Sequence, residues 1–299
     1  MKPELPPIYF FHIPKTAGIS LRSIIRSAYP PEDCLPVYEI QDLLTLNREQ
    51  INRYRCFMGH FGTGLFSLLE RDVCCVTMLR DPFEHIVSNF YFCQQMLPKY
   101  QKYLPSEWNQ IIADITSSDE LGKSINTDFF RKLLANPQTL YLSTDIDLIP
   151  FLKQPTSLLS VESFYIQELT EIEMKERVDK AKKRLDQMAV VGVVEQFAES
   201  VSLVCDFIGI DSPSIIAHEN IGPKRQAIGK KSYRESGLIP PDVVEQIDEL
   251  TVGEREVYNY AKTLLAKKLA ERQRKNATCA SSSSLVSRVV NKVRSRMNW

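Results

Sequence analysis

The feature that most constrains this chain is a series of short runs that are apolar on both faces, each followed by a turn and then a helix pattern. IYFFHI (Ile8–Ile13) leads through PKTAG to helical spacing from about Ile19 to Ala28, with Ile24, Ile25 and Ala28 on one face. VCCVTML (Val73–Leu79) leads to RDPFEHIVSNFYF, where Asp81 stands as N-cap and Pro82 as first helical residue. AVVGVV (Ala189–Val194) leads to a helix ending near Ile208, and a weaker run, Tyr54–Met58, ends at Gly59-His60. Runs with no polar face belong inside a parallel sheet, and their alternation with helices predicts an α/β fold with helices on both sides of that sheet. Glu171–Met188 reads as a charged amphipathic helix and Pro240–Arg272 as helical, while residues 98–170 are less periodic and read as helices and loops.

Length and composition bound the function. The 299 residues suit one large α/β domain or two small ones. Lys plus Arg balance Asp plus Glu at 37 each, so no global field attracts a polyanion and nucleic acid is not an expected partner. The seven cysteines include no CxxC pair, which argues against zinc and for buried thiols in a reducing compartment. Neither a signal peptide nor a bilayer-length apolar run is read, so the expectation is an intracellular, cytoplasmic protein.

Three segments fall just after expected strands: Lys15–Ser20, Gly59-His60 and Arg80–Ser88. In open α/β sheets ligands bind beyond the carboxyl ends of strands, so the three can meet in one crevice. In HIPKTAGIS a strand-to-helix loop offers backbone N–H groups and the positive end of a helix dipole, with Lys15 as a point charge, Thr16 and Ser20 as hydroxyls and Gly18 for close approach. It is not GxxxxGK[ST], because Lys opens the loop. The other reading is a plain turn with a solvated Lys. Arg80 offers a planar fork suited to a phosphate, or a surface pair with Asp81 or Glu84.

Together these loops resemble the PAPS-dependent sulfotransferases, PAPS being 3′-phosphoadenosine 5′-phosphosulfate. The resemblance implies a P-loop-like three-layer fold. It makes Lys15, Thr16, Ala17, Gly18, Ile19 and Ser20 a 5′-phosphosulfate loop, and Arg80 and Ser88 the 3′-phosphate site. The Gly-His of RCFMGHFGTG resembles the branch with the heparan sulfate and uronyl 2-O-sulfotransferases, which maps the catalytic base onto His60; the other reading is a core or capping histidine. HENIGPKRQ falls where the family closes a basic loop over the cofactor, making Asn220, Lys224 and Arg225 nucleotide contacts, or simply a solvated loop. Hydroxyl residues often stand in that branch where this chain has Gly18 and Ile19, and the Golgi members carry a membrane anchor and luminal disulfides. The chain is more similar to a bacterial-type soluble member, with a saccharide or glycoconjugate hydroxyl as acceptor.

By the same resemblance His60 takes the acceptor proton, Lys15 stabilises the leaving phosphate oxygen, the product is 3′,5′-ADP, and no metal is required. His12 and His85 are expected to be structural. A P-loop-like nucleotide kinase and a non-catalytic glycan- or nucleotide-binding module are the rival readings. Tyr91, Phe92, Tyr100, Tyr103 and Trp108 can stack on an acceptor ring or form core. Residues 1–275 are expected to hold the enzyme domain, and 276–299 a Ser-rich linker and a basic amphipathic tail. In that tail, residues 285–299 suit an anionic membrane surface, a partner or a disordered basic end.

Overall fold

The computed structural model describes residues 5–100, 113, 121–127, 131, 134–153, 169–213, 229 and 231–297. Four strands form one parallel sheet in the order β2-β1-β3-β4: β1 Ile8–Phe11, β2 Cys56–Gly59, β3 Cys74–Leu79 and β4 Val190–Val193. Ile8 pairs with both Cys56 and Cys74, and Leu79 with Val193. β1, β2 and β4 are buried throughout, as the both-face apolar runs require. Each expected strand is present with its ends moved by one or two residues; His12 and Ile13 fall just past β1, and the turn follows at Pro14 and Lys15.

In chain order the helices begin with α1 (Gly18–Ala28), α2 (Ile40–Leu44), α3 (Arg48–Asn52), α4 (Gly64–Leu68) and α5 (Pro82–Tyr100). α6 (Leu121–Ile125), α7 (Pro137–Ser143), α8 (Glu171–Asp186), α9 (Phe197–Ile208), α10 (Pro241–Leu250) and α11 (Val252–Met297) follow. β1 buries Ile8, Tyr9, Phe10 and Phe11 completely, and α1 contributes Leu21 and Ile25 to the same core. A second cluster, from Phe83, Ile86, Val87 and Phe90 of α5, packs against Val243 and Ile247 of α10.

The caps follow the sequence. Asp81 Oδ1 accepts from the N–H groups of Phe83 (3.1 Å) and Glu84 (3.2 Å), capping α5. Thr170 and Glu173 form a capping box on α8, and Asn47 and Gln50 one on α3. The Ser-rich stretch 276–284, expected as a linker, lies within α11. It holds neither Gly nor Pro, so nothing in it breaks the backbone ladder.

Strand order places a switch point at β1 and β3. From β1 the chain moves outward to β2, then returns to the other side of β1 to form β3 and β4. The crevice of such a sheet lies outside the carboxyl ends of the two strands at the reversal. Here that means the loop after Phe11 and the residue after Leu79.

Candidate functional site

The loop after β1 is unusual in its backbone. Lys15 (φ 66°) and Ala17 (φ 59°) both adopt the left-handed conformation, uncommon for residues with a side chain. Strain of this kind, on the order of 1–3 kcal/mol per residue, persists where surrounding structure imposes it, and clusters at ligand sites. Ala17 occupies the N-cap position of α1 with no side-chain cap, and the first turn of α1 carries no acidic residue. Helices α3, α5 and α8 are capped by side chains, whereas α2, α4, α7, α9 and α10 are not, so what sets the start of α1 apart is the left-handed pair Lys15 and Ala17.

Lys15 and Arg80 come together across the switch point. Arg80 Nη1 donates to the Lys15 carbonyl at 3.3 Å. Burial, with the Arg80 charge second, holds the Lys15 ammonium below the usual lysine range, and its Nζ lies 4.3 Å over the Phe92 ring. Arg80 Nη2 is also 3.9 Å from Glu84 Oε2, but that pair is not on the surface, as the exposures of 14% and 9% show. Asp81, the other acid offered for Arg80, is engaged by the α5 cap.

Residues with no sequence signature fix Arg80. Gln138 of α7 is fully buried; its Oε1 accepts from Arg80 N at 2.8 Å and its Nε2 donates to Arg80 O at 2.9 Å. The amide thus pairs with the backbone just past β3 as a neighbouring strand would. Gln138 is itself held by fully buried Glu254 of α11, whose Oε2 accepts from Gln138 N at 2.9 Å and whose Oε1 accepts from Gln138 Nε2. Glu254 Oε1 is also 3.5 Å from His85 Nδ1, and His85 Nε2 donates to Pro14 O at 2.8 Å. His85 is therefore structural, tying α5 and α11 to the loop after β1.

Several expected phosphate contacts are used differently. Thr16 is fully buried and its hydroxyl donates to Ile13 O at 2.7 Å, closing the turn. Gly18 does admit a close approach, but by His12: a Cβ on Gly18 would lie 1.6 Å from His12 Nε2. Ser20 is buried, Ile19 half-buried, and Ser88 half-buried on α5. Ser88 and Phe92 are one helical turn apart, which places Ser88 on the same face as the ring beneath Lys15. Asn220, Lys224, Arg225, Tyr103 and Trp108 lie outside the described residues, as does the side chain of Tyr100. Tyr91 packs against Tyr233 (5.8 Å), as core.

At the end of β2, Gly59 is required by the Phe61 ring and the Tyr38 carbonyl, 2.4 and 2.5 Å from where a Cβ would stand. His60 N donates to Tyr38 O at 2.9 Å, and His60 Nδ1 lies 3.2 Å from each carboxylate oxygen of Glu39. Its ring centroid is 4.5 Å from those of both His12 and Tyr38. His60 Nε2 is closed to solvent and has no hydrogen-bond partner among the described residues. Buried His12 bonds the Tyr38 hydroxyl through Nδ1 and stacks on Phe10 at 5.0 Å. Burial, with His60, Arg22 and Lys15 adding, drives the His12 pKa well below the ordinary value, so His12 is neutral near pH 7. Arg22 lies 4.3 Å over the Tyr38 ring.

A cavity of about 780 Å³ lies elsewhere, with Phe66, Arg71, Val73, Cys75 and Arg184 among its lining. It opens beside the start of β3, not the carboxyl ends, and its Arg184 is already paired with Asp145 at 2.7 Å. Its volume is therefore a poorer guide to chemistry than the convergence of loops. Among the described residues no group of three or more His, Cys, Asp or Glu is placed to hold a metal, and no helix is long and apolar enough to cross a membrane. Described cysteines are free thiols; Cys34, Cys56 and Cys205 are buried, whereas Cys74, Cys75 and Cys93 are half-buried. No protein-family model matches the chain, and comparison with curated proteins gives no match.

Proposed function

We propose that this chain is a PAPS-dependent O-sulfotransferase of P-loop-like fold, acting in the cytoplasm on a hydroxyl of a saccharide or glycoconjugate. The observation that carries the reading is the pairing of Lys15 and Arg80, distant in sequence, beside the uncapped N-terminus of α1. Two cations that repel each other, next to a helix dipole, are stabilised by a bound anion. Burial and then the Arg80 charge lower the Lys15 pKa, and a neighbouring anion would favour its charged form, which supports this.

In this reading the backbone N–H groups at the start of α1 hold the 5′-phosphate, and Arg80 with Ser88 the 3′-phosphate. The donor supplies a sulfuryl group and a phosphate leaving group. An acceptor oxygen forms the new O–S bond as the S–O bond to the 5′-phosphate breaks, and the electron pair of that bond leaves on the phosphate oxygen beside Lys15. His60 Nε2 receives the hydroxyl proton. Because Nε2 is closed to solvent, an acceptor has to part the groups covering it. Positioning and charge stabilisation carry such a transfer, as in phosphoryl transfer.

The test is turnover of labelled PAPS with a screen of saccharide, lipid and phenol acceptors. It is joined to binding of 3′,5′-ADP, ADP and 5′-AMP by wild type and Arg80→Ala. Loss of a charge-assisted bond to the 3′-phosphate costs about 1.5–3 kcal/mol, so Arg80→Ala should weaken 3′,5′-ADP roughly 10- to 150-fold and 5′-AMP little. Equal weakening of both would make Arg80 a holder of the fold. Preference for ADP with Mg²⁺ would point to a kinase.

A further inference from the structure

Free imidazole has no fixed tautomer, and a histidine that accepts a proton through Nε2 must carry its own on Nδ1. Something has to hold that proton in place. Sequence offers no candidate, because the residue concerned precedes His60 along the chain with α2 and α3 between them.

We infer that Glu39 is the positioning residue of a carboxylate–imidazole pair, holding His60 as the Nδ1–H tautomer and presenting Nε2 as the proton acceptor. Both Glu39 oxygens lie 3.2 Å from Nδ1. A carboxylate only accepts, so the nitrogen facing it must be the one that carries hydrogen. That leaves the lone pair on Nε2, the atom with no partner among the described residues. A buried polar atom left unpaired costs roughly 1–3 kcal/mol, and such atoms in folded proteins call for an occupant or a task.

The backbone builds the pair. Glu39 is the N-cap residue of α2, extended at φ −99° and ψ 152°, and the preceding carbonyl, Tyr38 O, accepts from His60 N at 2.9 Å. One peptide thus sets the spacing between the two residues. The ring cannot turn away easily, because His12 and Tyr38 flank it at 4.5 Å, and Tyr141 Oη holds the backbone beneath it by donating to His60 O at 3.2 Å. Neutral His12 also matters: a charged imidazolium there would oppose the charge His60 gains on accepting a proton. Glu39, half-exposed, supplies the opposite charge.

The catalytic consequence rests on the sulfotransferase reading, whereas the tautomer does not, so the test has two arms. In the first, the full chain is labelled with ¹⁵N-histidine, and the four imidazoles are assigned with a His60→Gln variant. At a pH where the ring is neutral, wild type should show a protonated-type Nδ1 and a pyridine-type Nε2 for His60. Glu39→Ala should shift it toward Nε2–H, with circular dichroism and melting unchanged. A wild-type His60 protonated on Nε2 would overturn the inference whatever the protein catalyses. So would a Glu39→Ala spectrum identical to wild type.

The second arm is PAPS turnover. Glu39→Ala should lower kcat by at least ~10-fold, bounded by the roughly 10²- to 10⁴-fold loss for removing the base in His60→Ala. KM for PAPS should hold steady, and Glu39→Asp should recover part of the rate. If no acceptor is sulfated while the tautomer is as stated, the sulfotransferase reading fails and the pair stands. If wild type turns over and Glu39→Ala matches it, Glu39 positions nothing that the reaction uses.

Discussion

Replacing Gln138 with Met tests whether a buried amide holds the Arg80 backbone in place. Met matches the shape and cannot bond. The side chain makes two neutral hydrogen bonds to Arg80, at 2.8 and 2.9 Å, and one charge-assisted bond to Glu254. At about 1 kcal/mol for each neutral bond and 1.5–3 for the charged one, the loss is roughly 3.5–5 kcal/mol. That is comparable to the whole stability of a marginal protein, and should lower Tm by roughly 7–20 °C. Urea titration gives the stability, and 3′,5′-ADP titration on the folded fraction gives the binding. A second variant sharpens the result. Gln138→Glu places a carboxyl against Glu254 in a site with no exposure, which raises the folded-state pKa of the new group above its unfolded value. Its stability should then be best at low pH and fall as pH rises, whereas Gln138→Met should add no such slope. A Gln138→Met protein within 1 kcal/mol of wild type, binding nucleotide normally, would refute the clasp.

Three further outcomes are expected. Because burial lowers the His12 pKa, the unfolded chain binds that proton more tightly, so stability should fall with acidity below about pH 6.5, by at most about 1.4 kcal/mol per pH unit from this group; urea titrations should show a shallower slope for His12→Phe. Gly18→Ala drives a methyl into the His12 ring and should cost about 1–3 kcal/mol by thermal melting, with most of the loss absent when His12 is also Ala. Liposome co-sedimentation should show full-length chain binding anionic vesicles more than a chain ending at Lys275; equal binding would remove the membrane role of residues 285–299.

The sheet was legible because its strands are apolar on both faces, a pattern with few other meanings. The Asp81 cap and Pro82 start of α5 were legible because cap chemistry is local. The convergence of Lys15 with Arg80 followed from strand-end loops, without contact information. What escaped was polar and distant. Gln138, Glu254 and Glu39 belong to no sequence motif, and only tertiary packing buries the first two or brings the third to His60. Gly18 in a strand-to-helix loop suggests room for a ligand, but the ring of His12 fills that room. Thr16 in that loop suggests a ligand contact, but its hydroxyl serves the turn.

The clasp on Arg80 has a consequence for the order in which the protein is made. The peptide that carries Arg80 leaves the ribosome early, but Gln138 and then Glu254 must follow before it is held. At about 5–20 residues per second, roughly 10–35 s pass between the first and last of these. During that interval β1 and β3 can already pair while the crevice at their ends has no fixed arginine. A nascent chain would therefore gain its sheet well before its proposed anion site, which is complete only once the helix carrying Glu254 has docked.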